Sequence, residues 1–132
     1  MDRLFLDANV LFSAAYRPNA GLLEFWEFEK VILCSSRHAL EEALFNLDEK
    51  AQKDRLARLA RRIHFFDAPL GEPPGGVSLP EKDRPILLAA IEARATHLIT
   101  GDVRHFGPYF SKTIGGVLVL APYEYLQQRR KR

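Results

Sequence analysis

A chain of 132 residues that is 47% hydrophobic and 27% charged has material for one core, which predicts a single domain over 1–132 and excludes disordered and fibrous classes. The lone Cys34 excludes a disulfide framework and a multi-cysteine zinc site. No apolar run approaches the ~20 residues that cross a bilayer, so the expected location is the cytoplasm, and a net charge of +2 is too small to diagnose a nucleic-acid partner.

Arg3-Leu4-Phe5-Leu6 is a short apolar run that suits a buried strand and ends at Asp7-Ala8-Asn9. Val10 to Ala15 has helix-compatible composition, and Arg17-Pro18-Asn19-Ala20-Gly21 breaks it. Leu22, Leu23, Phe25, Trp26 and Phe28 give a short helix with a broad apolar face. That face reads as core; any part left exposed would mark a dimer or partner surface. Val31-Ile32-Leu33-Cys34 is a second strand, and Ser35 or Ser36 can cap the helix that follows. Leu40, Ala43, Leu44 and Leu47 stripe that helix, which is expected to run on from Asp48 to Arg62 with a charged outer face. Ile63 to Phe66 is a weaker strand, and the Pro- and Gly-rich stretch from Asp67 to Pro80 is a loop. A helix carrying Ile86, Leu87, Ala90 and Ile91 follows, then strands at His97–Thr100 and Val117–Leu120. Pro122 opens a last short helix, and the end of the chain, 127–132, is a basic tail closing with Arg129, Arg130, Lys131 and Arg132.

Apolar strands alternating with amphipathic helices predict an α/β fold: a parallel sheet covered on both faces. In such sheets sites form beyond the carboxyl ends of the strands. Asp7 and Asp102 each follow a strand, Asp83 opens a helix, and Glu41 and Glu42 lie early in another helix. Each also has a plain structural reading: Asp7 and Asp83 as helix caps, Gly101-Asp102 as a turn, the glutamates as solvated helix residues. Periodicity alone does not choose between Glu41 and Glu42. Carboxylates gathered at one edge repel unless a cation neutralises them. An oxygen-rich set without thiolates suits Mg²⁺ or Mn²⁺, ions that polarise phosphoryl oxygens and activate water.

Four segments carry a family resemblance. Leu4-Phe5-Leu6-Asp7-Ala8-Asn9-Val10-Leu11 resembles the opening strand of PIN-domain ribonucleases. Ser36-Arg37-His38-Ala39-Leu40-Glu41-Glu42-Ala43-Leu44 is similar to their second acidic motif, in which a glutamate six residues after the serine selects Glu42; a start at Ser35 selects Glu41. Asp83-Arg84-Pro85-Ile86-Leu87-Leu88-Ala89-Ala90 and Leu98-Ile99-Thr100-Gly101-Asp102 are similar to the third and fourth motifs. Arg104-His105-Phe106-Gly107 and Gly115-Gly116-Val117 also recur in PIN proteins that resemble bacterial toxins.

The resemblance spans nearly the whole chain. It implies a three-layer α/β/α sandwich around a parallel sheet of about five strands. It also implies an endoribonuclease dependent on one or two Mg²⁺ or Mn²⁺ ions, and many small members are toxins paired with an antitoxin protein. Asp7, Glu42, Asp83 and Asp102 would be both catalytic and metal-holding, with Asn9 and Thr100 supporting them by hydrogen bonds. Arg104, His105 and the basic residues Arg129, Arg130, Lys131 and Arg132 are candidate RNA contacts, since an acidic pocket needs cations beside it to hold phosphates. The competing reading is a non-catalytic PIN-like module that binds RNA or protein, and such a module has no need of four converging carboxylates. A phosphoacceptor domain of response-regulator type ranks below both, because Asp2 is misplaced for its acidic pair and Lys112 lies in a loop.

Overall fold

In a computed structural model, which describes residues 1–131, the elements run β1 (Asp2–Leu6), α1 (Ala8–Ala15), β2 (Val31–Ser35), α2 (Arg37–Asn46), α3 (Lys50–Ala60), β3 (Ile63–Phe65), α4 (Arg84–Glu92), β4 (His97–Ile99), α5 (Val103–Phe106), β5 (Thr113–Ile114), β6 (Val117–Leu120) and α6 (Pro122–Arg130). They build one six-stranded sheet in the order β3-β2-β1-β4-β6-β5. The five strands read from the sequence pair in parallel. The sixth, β5, is antiparallel to β6. Its turn is Gly115-Gly116, with φ of 57° and 86°, both in the region that a two-residue type I′ hairpin demands and side chains resist.

β1 shows why the sheet is buried on both faces. Leu4, Phe5 and Leu6 point alternately up and down and all are fully buried. From β1 the chain steps outward one way through β2 and β3, then returns to place β4 and β6 on the other side. The strand order therefore reverses between β1 and β4, and such a reversal opens a crevice at the carboxyl edge.

Three local readings change in three dimensions. Residues Gly21–Trp26 form a 3₁₀ segment rather than an α-helix, and Leu22, Phe25 and Trp26 face the core. Trp26 Nε1 donates to the Leu59 carbonyl at 3.1 Å, so that stripe is mainly core, with Leu23 and Phe28 half-buried. The helix expected to continue through Asp48 breaks instead at Leu47, which takes an extended conformation and is buried. α3 restarts with a capping box in which the Gln52 side chain accepts from the Glu49 amide. The basic residues of α3 and of the turn that follows it are also partly committed: Arg55 donates to the carbonyls of Ala15 and Tyr16, Arg62 to that of Trp26, and Lys50 pairs with Asp54. Among the described residues no helix is long and apolar enough to cross a membrane.

Gly115 offers a local test. An added Cβ would sit 2.8 Å from Ile91 Cδ1, the movable end of a side chain, so the left-handed backbone is the main cost. Gly115→Ala is expected to lose about 1–2 kcal/mol, which lowers the thermal midpoint by a few degrees. An unchanged midpoint would show that the turn does not hold the edge strand.

Candidate metal centre

Asp7 follows the last residue of β1, and its amide extends the ladder by donating to the Ile99 carbonyl at 3.1 Å. Its two carboxylate oxygens have separate partners. Oδ1 accepts from the Ala8 amide at 2.7 Å and caps α1. Oδ2 accepts from the Thr100 hydroxyl at 2.8 Å and from Asn9 Nδ2 at 3.2 Å. Cap and site are thus one side chain. Thr100 Oγ1 also accepts from the Asp102 amide at 3.1 Å, and Asn9 Oδ1 accepts from the Gly101 amide at 2.7 Å. Asn9 and Thr100 tie the end of β1 to the end of β4. A Cβ on Gly101 would come within 3.2 Å of Asn9 Oδ1, so glycine permits this approach.

Asp83 stands at the start of α4, yet its side chain makes no capping bond; Pro85 at the second helical position has no N–H to satisfy. Asp102 caps α5 by accepting from the His105 amide at 3.1 Å. His105 Nδ1 lies 3.0 Å from Asp102 Oδ2 and 2.9 Å from Asp83 Oδ2. One ring nitrogen carries one proton. It is aligned with Asp102, which leaves Asp83 Oδ2 buried without a hydrogen bond. His105, expected as a phosphate contact, instead sits between two carboxylates; its offset of three residues from Asp102 was the sequence signal for that.

Asp7, Glu42, Asp83 and Asp102 line one cleft of about 580 Å³, along with Asn9, Asn46 and Lys82. Glu42 is exposed at its rim, and Glu41, also exposed, does not line it. Burial pushes the Asp7 carboxyl up to about 6; the Thr100 and Ala8 hydrogen bonds oppose the rise, and the charges of Glu42 and Asp83 add to it. Burial likewise raises Asp83, with His105 opposing and Asp102 adding. Lys82, missed in the sequence, brings a cation to the same cleft; its place beside Asp83 was the only clue.

The donor set fits a divalent cation. Hard carboxylate oxygens dominate it, Asp83 Oδ2 is buried without a hydrogen bond, and ligating atoms of Asp83, Asp102 and His105 lie within 4.8 Å of one another. Thr100 and Asn9 hold the Asp7 carboxylate in orientation, as groups behind metal ligands do.

Of the remaining predicted contacts, Arg104 is exposed on α5. Arg129 and Arg130 belong to α6 rather than to a loose tail. Arg129 stacks over the Phe28 ring at 4.5 Å and approaches Asp2 at 3.8 Å; Arg130 pairs with Glu24 at 2.8 Å. Asp2 opens β1 and Asp7 follows it, so Arg129 sits roughly 16 Å from the cleft, one strand length away. Lys131 is exposed, and Arg132 lies outside the described residues.

Three solved structures share this architecture. One is VapBC2 from Rickettsia felis bound to a DNA fragment from their promoter, with a TM-score of 0.67, 17% identity and coverage of 90% of this chain and 98% of that one. A second is FitAB bound to an IR36 DNA fragment, at TM-score 0.54, 19% identity and coverage of 91% and 95%. The third is FitAcB from Neisseria gonorrhoeae, at TM-score 0.52, 18% identity and coverage of 91% and 98%. At these identities the likeness is one of fold. A comparison of the sequence with curated proteins gives no match. The sequence profile of the PIN domain matches residues 3–104, a span that holds Asp7, Glu42, Asp83 and Asp102, and on that match the chain belongs to the PIN domain family.

Proposed function

We propose that this protein is a divalent-metal-dependent endoribonuclease, a single cytoplasmic PIN unit that acts as the toxin of a toxin–antitoxin pair. The observation that carries the reading is the convergence of Asp7, Asp83 and Asp102 in one cleft, with Asp83 Oδ2 left without a hydrogen bond. A module that only binds has no use for that arrangement, because clustered and partly desolvated carboxylates cost stability.

Held there, one or two Mg²⁺ or Mn²⁺ ions supply polarisation of a phosphoryl oxygen and activation of water. Asp7, Asp83, Asp102 and Glu42 are the side chains that would hold them. Thr100 and Asn9 fix the direction of the Asp7 carboxylate. Lys82 at the cleft and Arg104 on exposed α5 offer cations to RNA phosphates. Glu42 rather than Glu41 completes the set, since only Glu42 lines the cleft. The likeness to VapBC2 and FitAB supports an antitoxin as the protein partner. A homodimer is the second assembly proposed.

Incubation with a mixed RNA pool, with and without Mg²⁺, tests the activity. Discrete fragments are expected only with the metal, and Glu42→Gln should raise the Mg²⁺ needed for half-maximal cleavage while Glu41→Gln leaves it unchanged. An intact pool at saturating Mg²⁺ and Mn²⁺ would overturn the nuclease reading. An effect of Glu41→Gln alone would move the second acid by one residue.

A further inference from the structure

Beside the acidic cleft lies a second groove of about 680 Å³, bounded by Phe12, Tyr16, Arg17, Val103, Pro122 and Tyr123. The two share Asn9, Phe12 and Gly101 as common walls. Their chemistry differs: the groove has no acidic lining residue and one cation, Arg17. A polynucleotide that would be repelled along an acidic wall meets no such barrier here.

Two tyrosines line it from separate elements, and both are open to solvent, Tyr16 at 54% and Tyr123 at 66% exposure. Three large aromatics are exposed among the described residues, Tyr16, Phe45 and Tyr123, and two of the three line this groove, while Phe5, Phe25, Phe106 and Tyr125 are buried completely or nearly so. Their backbones are held. The Tyr16 carbonyl accepts from Gln52 Nε2 and Arg55 Nη2, both at 3.1 Å. Tyr123 stands in the first turn of α6, between buried Pro122 and buried Tyr125. Gly21 lies beside its hydroxyl, where a Cβ would make only ordinary contact at 3.8 Å. Phe12 backs Tyr16, with ring centroids 5.3 Å apart.

We propose that this groove is a nucleobase subsite: an unstacked base of single-stranded RNA, next to the phosphate in the acidic cleft, stacks on Tyr16 and Tyr123 while Arg17 meets the neighbouring phosphate. The proposal rests on the nuclease reading and adds the place where substrate is gripped. Continuity with the cleft argues for RNA: a chain with its phosphate at the carboxylates has its adjacent base within reach of the groove. Stacking on an aromatic face is the sequence-tolerant way to bind a splayed-out base.

The test is binding of a fluorescein-labelled single-stranded RNA octamer, with Ca²⁺ in place of Mg²⁺, beside cleavage of the same RNA in Mg²⁺. Tyr16→Ala and Tyr123→Ala should each weaken binding on the order of tenfold, the loss typical of one stacked base. Tyr123→Phe and Tyr123→Trp should retain wild-type affinity, because the ring face survives. Octamers with an abasic nucleotide at each position in turn should bind the wild type about tenfold more weakly at one position, and with that octamer Tyr123→Ala should cost nothing more. Thermal midpoints measured alongside show that the alanine variants are folded.

Alanine variants that bind every octamer as the wild type does would overturn the subsite while wild-type cleavage leaves the nuclease reading standing. A wild type that neither binds nor cuts RNA would bring down both. Weakened binding of a co-encoded protein, with RNA affinity unchanged, would assign the groove to that partner and also overturn the proposal.

Discussion

Asp7→Asn should abolish RNA cleavage and at the same time stabilise the metal-free protein at neutral pH. The activity loss should exceed the ~10–100-fold that follows removal of a group behind a metal ligand, since Asp7 itself lines the cleft and aims Oδ2 at Thr100 and Asn9. The stability gain follows from burial. The Asp7 carboxyl is raised from 3.8 to about 6, so the folded protein holds that proton more tightly than the unfolded chain does. The contribution is therefore fully present below about pH 4 and is lost as pH rises through about 6. Two pH units correspond to about 3 kcal/mol. Asparagine has no charge to desolvate and keeps an oxygen for the Ala8 amide, but its Nδ2 cannot accept from Thr100. A net gain of about 1–2 kcal/mol at pH 7 is expected.

Midpoints of thermal unfolding at pH 4 and pH 7, each with and without Mg²⁺, check this. The variant should be the less stable of the two at pH 4, by about 1 kcal/mol, because the lost hydrogen bond is no longer offset there, and the more stable at pH 7. Saturating Mg²⁺ should reverse the order, because a ligand held by the folded wild type alone adds about 2.7 kcal/mol at a hundred times its Kd. A variant that still cuts RNA, or one less stable than wild type at pH 7 without metal, would remove Asp7 from the metal centre.

At the other end of the sheet, Tyr125→Ala should cost about 3–5 kcal/mol, the range for truncating a buried aromatic. Tyr125 is fully buried. Its ring packs on His97, Phe25 and Phe28 at centroid distances of 5.0, 5.8 and 6.3 Å. Its hydroxyl donates to Asp2 Oδ2 at 2.6 Å. Burial, and then that hydrogen bond, push the phenol up to about 12, so it stays a donor throughout the working range. Tyr125→Phe keeps the ring and should lose only about 1 kcal/mol. Urea unfolding separates the two, and an alanine variant within 1 kcal/mol of wild type would show that α6 is not anchored through this residue. Such a loss is a large share of the roughly 5–15 kcal/mol that holds a domain together.

The five parallel strands and the strand-end positions of Asp7 and Asp102 were legible in the chain itself. Leu4-Phe5-Leu6 and Leu98-Ile99 are short apolar runs that can only be buried strands, and Asp7 and Asp102 end up beside their carboxyl ends because a strand must stop where polar turn chemistry begins. The five parallel strands follow from helices alternating with such runs. What the chain alone left open depends on contacts between segments far apart in sequence. Glu41 and Glu42 are both exposed, and only the packing of α2 beside α1 puts one of them on the cleft. His105 faces Asp83 as well as Asp102 because α4, which Asp83 opens, packs against β4, which Asp102 follows. Arg129 and Arg130 look like a free basic tail in one dimension; in three, Phe28, Asp2 and Glu24 hold them at the opposite end of the sheet. The break at Leu47 and the antiparallel β5 were hidden for the same reason. Hydrophobic period reports which residues are buried, whereas strand order and helix rotation decide which buried or charged groups meet, and those are set by the tertiary packing of distant parts of the chain.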